Sequence, residues 1–157
     1  MKPLLKLINH PNSDVRFGAT WGLLCEEDPL AIEALIELSS DDDEDVRDWA
    51  TFGLGSQIDT DTPEIRKALF RRAIDSTDKG NAPGEGLVGL AKRQDGRAFE
   101  LILKRLEAGN AGNLIFEAAE YLADPRLSPA LENLRDVREY SAYDRNRLED
   151  AIAACKG

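Results

Sequence analysis

The sequence predicts an all-α fold, an α-α superhelix or solenoid of about five helical hairpins. Three observations carry that expectation. A short pattern recurs: Asp14-Val15-Arg16 returns as Asp45-Val46-Arg47, 31 positions on, and Ala19, Gly22 and Leu23 fall on Ala50, Gly53 and Leu54 at the same offset. Each copy follows an apolar stripe spaced by three and four, which is the helix period, and no comparable run alternates as a strand would. Turn residues separate the stripes, and a period near 30 residues is the signature of stacked units that bury one another's apolar faces.

The units can be taken in order. Residues 2–28 hold a first stripe of Leu4, Leu7 and Ile8, a turn at Asn9-His10-Pro11-Asn12, and the first copy of the pattern. Residues 29–61 repeat this with Ala31, Leu35 and Leu38, a polar turn from Ser39 to Asp43, and the second copy. Residues 62–95 open on Thr62-Pro63-Glu64, a capping hydroxyl before a proline in the first helical position and a carboxylate in the first turn. Their stripe is Ile65, Ala68 and Leu69, and the third copy is Gly86, Gly89 and Leu90. Residues 96–126 carry Phe99, Ile102, Leu103 and Leu106, then Ala118, Tyr121 and Leu122. Residues 127–157 carry Ala130, Leu131 and Leu134, and a degenerate fifth copy near Leu148–Ile152. The whole of 1–157 is expected to form one repeat domain.

On these residues the chain resembles the HEAT-like repeats found in many bacterial proteins and in phycobilin-lyase subunits. Asp45-Val46-Arg47-Asp48-Trp49-Ala50-Thr51-Phe52-Gly53-Leu54-Gly55, followed by Asp61-Thr62-Pro63-Glu64-Ile65-Arg66, is especially similar to a group of small bacterial HEAT-repeat proteins. The third unit departs with Ala82-Pro83 in place of Val-Arg, and the fourth with Leu114-Ile115, so one continuous ladder of repeat arginines is not expected. The resemblance implies an interaction scaffold whose second helices line a concave face. Its alternative implication is an accessory or chaperone-like subunit of a chromophore lyase or similar modifying enzyme.

No catalytic machinery, cofactor or metal site is expected from the motifs. Gly84-Glu85-Gly86-Leu87-Val88-Gly89 has the spacing of a dinucleotide fingerprint, but a turn precedes it where a strand is required, and its glycines occupy repeat slots. Asp41-Asp42-Asp43-Glu44-Asp45 lacks the glycine and glutamate of a calcium loop and is read instead as favourable charge at a helix start. His10 stands alone in a turn. Cys25 and Cys155 have no ligand-spaced companion and are expected to be unpaired thiols in a cytoplasmic protein. No apolar run reaches the roughly 20 residues that span a bilayer.

Charge and phase point to a surface. Lys and Arg total 20 against 30 Asp and Glu, a net charge of −10. All of that excess falls in residues 1–61, which repels nucleic acid and favours a basic protein partner. At 100° per residue, Val46, Ala50, Gly53, Leu54 and Gln57 face the core, Trp49 lies at the edge of that arc, and Asp48, Phe52 and Gly55 point away. Trp21 is the repeat equivalent of Phe52, and Phe17 that of Asp48. Phe17, Trp21, Asp48 and Phe52 are therefore the candidate partner-binding residues. Packing of the same aromatics against their own unit is the competing expectation. The oligomeric state is not legible.

Overall fold

Short polar residues in the turns start most of the helices. Asn12 Oδ1 accepts from the Asp14 amide at 2.8 Å and opens α2 (Ser13–Leu23), the longer helix of the first pair, after a single-turn α1 (Lys2–Leu5). Asp28 caps α3 (Pro29–Leu38), Asp43 caps α4 (Glu44–Phe52), and Thr62 caps α5 (Pro63–Ala73), each by accepting a first-turn amide. The chain continues through α6 (Ala82–Lys92), α7 (Arg97–Glu107), α8 (Asn113–Leu122), α9 (Ser128–Val137) and α10 (Ala142–Lys156). A computed structural model describes residues 2–137 and 139–157, all ten α-helices lie within them, and among these residues there is no strand.

The helices form two layers. The second helices α2, α4, α6, α8 and α10 pack side by side in an unbroken row. The first helices lie behind them: α1, α3 and α5 pack in sequence, and α7 packs on α9. Between the layers run Leu23, Leu35, Leu38, Leu54, Ile65, Leu69, Leu87, Leu90, Ile102, Leu106 and Phe116, all buried. The repeat stripes are thus the core. Burying each such side chain contributes about 1.5–3 kcal/mol. The all-α solenoid that the sequence predicts is the fold observed.

Two local features depart from the expected helices. Helix α1 ends at Leu5, and Leu7 and Ile8 lie in the following turns, closed by a bond from the Leu7 amide to the Leu4 carbonyl at 2.8 Å. More consequentially, α4 widens into a π-helical turn over Gly53–Gln57, where the Ile58 amide reaches back five residues to the Gly53 carbonyl at 3.1 Å. The wider turn breaks the 100° phase. Gly55, expected to point outward, is buried, and Gln57, expected inward, is exposed.

The glycines of α6 permit close approach of neighbouring backbone. A Cβ on Gly89 would lie 2.6 Å from Gly55 Cα, and one on Gly86 would lie 2.7 Å from the Leu69 carbonyl oxygen. Backbone cannot yield as a flexible side chain does. Gly89→Ala is therefore expected to destabilise by about 1–3 kcal/mol. Gly96→Ala, at a helical φ of −58° with open space around it, is expected to change stability by less than about 0.5 kcal/mol. Paired urea-denaturation curves check the contrast.

Charged side chains tie successive units together. Arg16 grips Asp41 through two bonds of 2.7 Å while a third nitrogen donates to the His10 carbonyl at 2.9 Å. Arg47, its repeat equivalent, pairs with Asp78 at 2.7 Å and donates to the Asp41 carbonyl at 2.8 Å. Burial pushes the Asp41 carboxyl up, but the hydrogen bonds from Arg16, the Asp43 amide and Asp42, with the Arg16 charge, together outweigh it and leave Asp41 below the ordinary carboxylate range. Pro83 occupies the arginine slot of the third unit, so the ladder has two rungs, as the departures in sequence imply. The acidic run from Asp41 is accounted for by these contacts and by the Asp43 cap.

Candidate protein-interaction surface

The aromatic residues of the first two units meet across α2 and α4. Phe17 and Trp21, one turn apart on α2, have ring centroids 6.5 Å apart. Trp49 on α4 stands edge-on to Trp21 at 4.5 Å, to Phe17 at 6.5 Å and to Phe52 at 5.5 Å. Such edge-to-face pairs contribute about 0.5–1.5 kcal/mol beyond area burial. The phase of α4 sends Trp49 to the edge of the core, and its ring settles there, half-buried, as the hub of the cluster. Phe17 and Phe52 are also half-buried, whereas Trp21 is 55% exposed. The cluster is therefore packed within itself and still open to solvent on one side.

Asp48 lies beside these rings but is engaged by the next unit. Its two carboxylate oxygens accept the Asn81 and Ala82 amides, each at 2.7 Å. They cap α6, whose own N-cap residue Asn81 makes no side-chain cap. The structure thus brings Phe17, Trp21 and Phe52 together through Trp49 and gives Asp48 a joining role between units.

Beyond the rings the second-helix row becomes polar. Ser56, in the π-helical turn, donates to Glu85 on α6 at 3.4 Å. On α8, Glu117 and Glu120 pair with Arg147 of α10 at 3.2 and 3.0 Å. Among the described residues Glu85 has no such cation. Its carboxyl is raised from an ordinary value of 4.5 to about 7, chiefly by burial, further by the charge of Glu117 and slightly by that of Asp48, with the Ser56 bond opposing. Sequence reasoning assigned Glu85 only to the glycine run. Its one available signal was that Trp49, Glu85 and Glu117 occupy the same repeat slot on successive second helices.

Among the described residues no group of three or more His, Cys, Asp or Glu is placed to hold a metal ion. Cys25 is exposed and Cys155 buried, and both are free. No described helix is long and apolar enough to cross a membrane.

Helical hairpins stacked in two layers, with an open face on the second-helix row, define the class: an α-α solenoid of repeats. A family model described as HEAT repeats matches residues 1–55, the first two units. Protein YibA of Escherichia coli K12 is 28% identical over 145 residues, which is 92% of this chain and 49% of that protein, and YibA of Escherichia coli O157:H7 matches equally. The X-ray structure of Escherichia coli YibA superposes with a TM-score of 0.77 at 23% identity, over 99% of this chain and 55% of that one. The first two units thus match HEAT repeats, and the chain has the all-α repeat-solenoid fold of the YibA structure. It spans about half the length of the curated relatives it matches.

Proposed function

We propose that the protein is a non-catalytic interaction scaffold, one repeat domain over 1–157, that binds a basic and partly apolar protein segment on the second-helix face of its first two units. The observation that supports this most is the open cluster of Phe17, Trp21, Trp49 and Phe52, set in the part of the chain that holds all of the net negative charge. Aromatic side chains in such positions are the residues that interface affinity concentrates on, and surrounding charge speeds the encounter with a basic partner. Asp48 contributes by holding α6 against the cluster. The acidic first half disfavours polyanions, and two free thiols, one exposed, suit a reducing cytoplasmic setting.

The test uses the partner captured by the full chain. Trp21→Ala is expected to weaken its binding by about 30-fold, equivalent to roughly 2 kcal/mol, and Trp21→Ala with Phe52→Ala by more. Raising the salt concentration is expected to slow association. Unchanged affinity for a folded double variant, verified by circular dichroism, overturns the reading.

A further inference from the structure

Glu85 is a half-buried carboxyl on the second-helix row, and among the described residues no Lys or Arg pairs with it. Arg147 serves Glu117 and Glu120, backbone amides serve Asp48, and Glu85 receives a single long bond from a neutral hydroxyl. The groups that bear on it are Asp48 from α4, Ser56 from the π-helical turn and Glu117 from α8, so its charged neighbours are themselves acidic. On α5, Arg72 is turned to Asp75 and Asp78, at 3.3 and 3.8 Å, and on α7, Arg105 donates to the Ala73 carbonyl at 3.1 Å. A carboxylate kept this way destabilises the free protein, because a charge taken from water is repaid only by a well-placed partner.

The neighbouring slot in the preceding unit is Trp49, the hub of the aromatic cluster. We propose that Glu85 and this aromatic wall together form a recognition site for one lysine or arginine side chain of a bound protein segment, whose apolar residue rests on Trp21, Trp49 and Phe52. The proposal rests on the interaction reading above and adds the cationic residue, its receptor and its register. Charge complementarity selects the occupant: an ammonium or guanidinium neutralises Glu85, relieves its repulsion with Glu117 and Asp48, and lies near ring faces that attract cations. Packed helices are about 8–10 Å apart, and an extended segment advances about 3.3 Å per residue. The apolar anchor and the cation are therefore expected about three residues apart in the partner.

The raised Glu85 carboxyl adds a signature that a merely structural residue does not give. A cation held against it stabilises the ionised form, so binding near pH 6.5 expels a proton. The protonated fraction falls as pH rises through about 7, and affinity is expected to rise over the same range.

Phage-displayed random dodecapeptides, selected on the full chain at pH 7.5, provide the probe. Enrichment of an apolar residue about three positions from Lys or Arg is expected. Glu85→Gln is expected to weaken a selected peptide at least tenfold and to abolish the buffer-dependent heat that reports proton release in titration calorimetry at pH 6.5. Replacing the peptide's cation with norleucine is expected to have the same effect, with little further loss in the Glu85→Gln protein. Peptides that need Trp21 but bind Glu85→Gln as well as the parent overturn this inference and leave the scaffold reading standing. Peptides indifferent to Trp21 and Phe52, or no enrichment, overturn both. Concentration-dependent dimers that cover Trp21, seen by sedimentation, assign the face to a second copy and also overturn the proposal.

Discussion

Arg93→Ala is expected to cost about 3–5 kcal/mol and to make unfolding biphasic. Arg93 stands just past α6, 9% exposed, and its guanidinium fans out to five carbonyls. Leu54, Gly55 and Ile58 accept at 2.9, 3.2 and 2.8 Å, and Thr60 and Gly89 at 3.0 and 3.1 Å. Four of these belong to the π-helical turn and the strand of chain leaving it. A π-helical turn loses the regular carbonyl pairing of an α-helix, and one arginine supplies it. Burial pushes the guanidinium pKa down, yet an arginine remains charged, so its desolvation is offset by these bonds, by Asp61 at 3.7 Å and by the charges of Asp59 and Glu27. Removal leaves several buried acceptors without donors at about 1–3 kcal/mol each, less what entering water restores. Because Arg93 belongs to the third unit and four of its five acceptors to the second, the loss falls on the interface between them. Nearest-neighbour coupling then predicts two transitions in the variant and one in the parent. Differential scanning calorimetry checks this, and a single transition at the parent temperature refutes it.

Glu85→Gln is expected to do the opposite and stabilise the protein above pH 7. The folded protein holds the Glu85 proton up to about pH 7, whereas the unfolded chain releases it near 4.5. Folding is therefore favoured by this group at low pH, and that contribution is lost as pH rises from about 4.5 to about 7 and stays lost above. At about 1.36 kcal/mol for each tenfold step, the full difference is on the order of 3 kcal/mol. A buried amide keeps part of the desolvation cost, so the net gain at pH 8 is expected to be about 1–2 kcal/mol, or roughly 2–8 °C in Tm. At pH 4.5 the two proteins are expected to melt within about 2 °C of each other. Thermal melts across that range test the slope. A variant that is more stable and yet binds more weakly is the pattern of a residue retained for recognition.

The difference between what was legible and what was not lies in distance along the chain. The helices, their caps and the core stripes are local and periodic, and Thr62, Asp43 and Leu69 act in the structure as their spacing implies. The aromatic cluster was half legible. Repeat offsets align Trp21 with Phe52, but the helical phase places Trp49 only at the edge of the core, where a single ring can turn either way. Asp48 was read as surface because nothing local reveals that the next unit's first amides reach it, 33 and 34 residues on. The π-helical turn shifted the phase of everything after Gly53, placing Ser56 by Glu85 and calling for Arg93 from 35 or more residues away. Glu85 was illegible because its distinction is a missing partner, and absence of a cation is a property of three helices together.

One further property follows from the two layers. The row of second helices is continuous, but α5 and α7 diverge behind it around a cleft of about 800 Å³ lined in part by Ile74, Leu101 and Leu114, bridged at one edge by Arg105. A plate bonded along one surface and slit along the other bends at the slit. The array is therefore mechanically compliant between its third and fourth units and stiff between its first and second, where Arg16 and Asp41 lock the turns. Curvature can change at that joint without disturbing a single ring of the aromatic cluster.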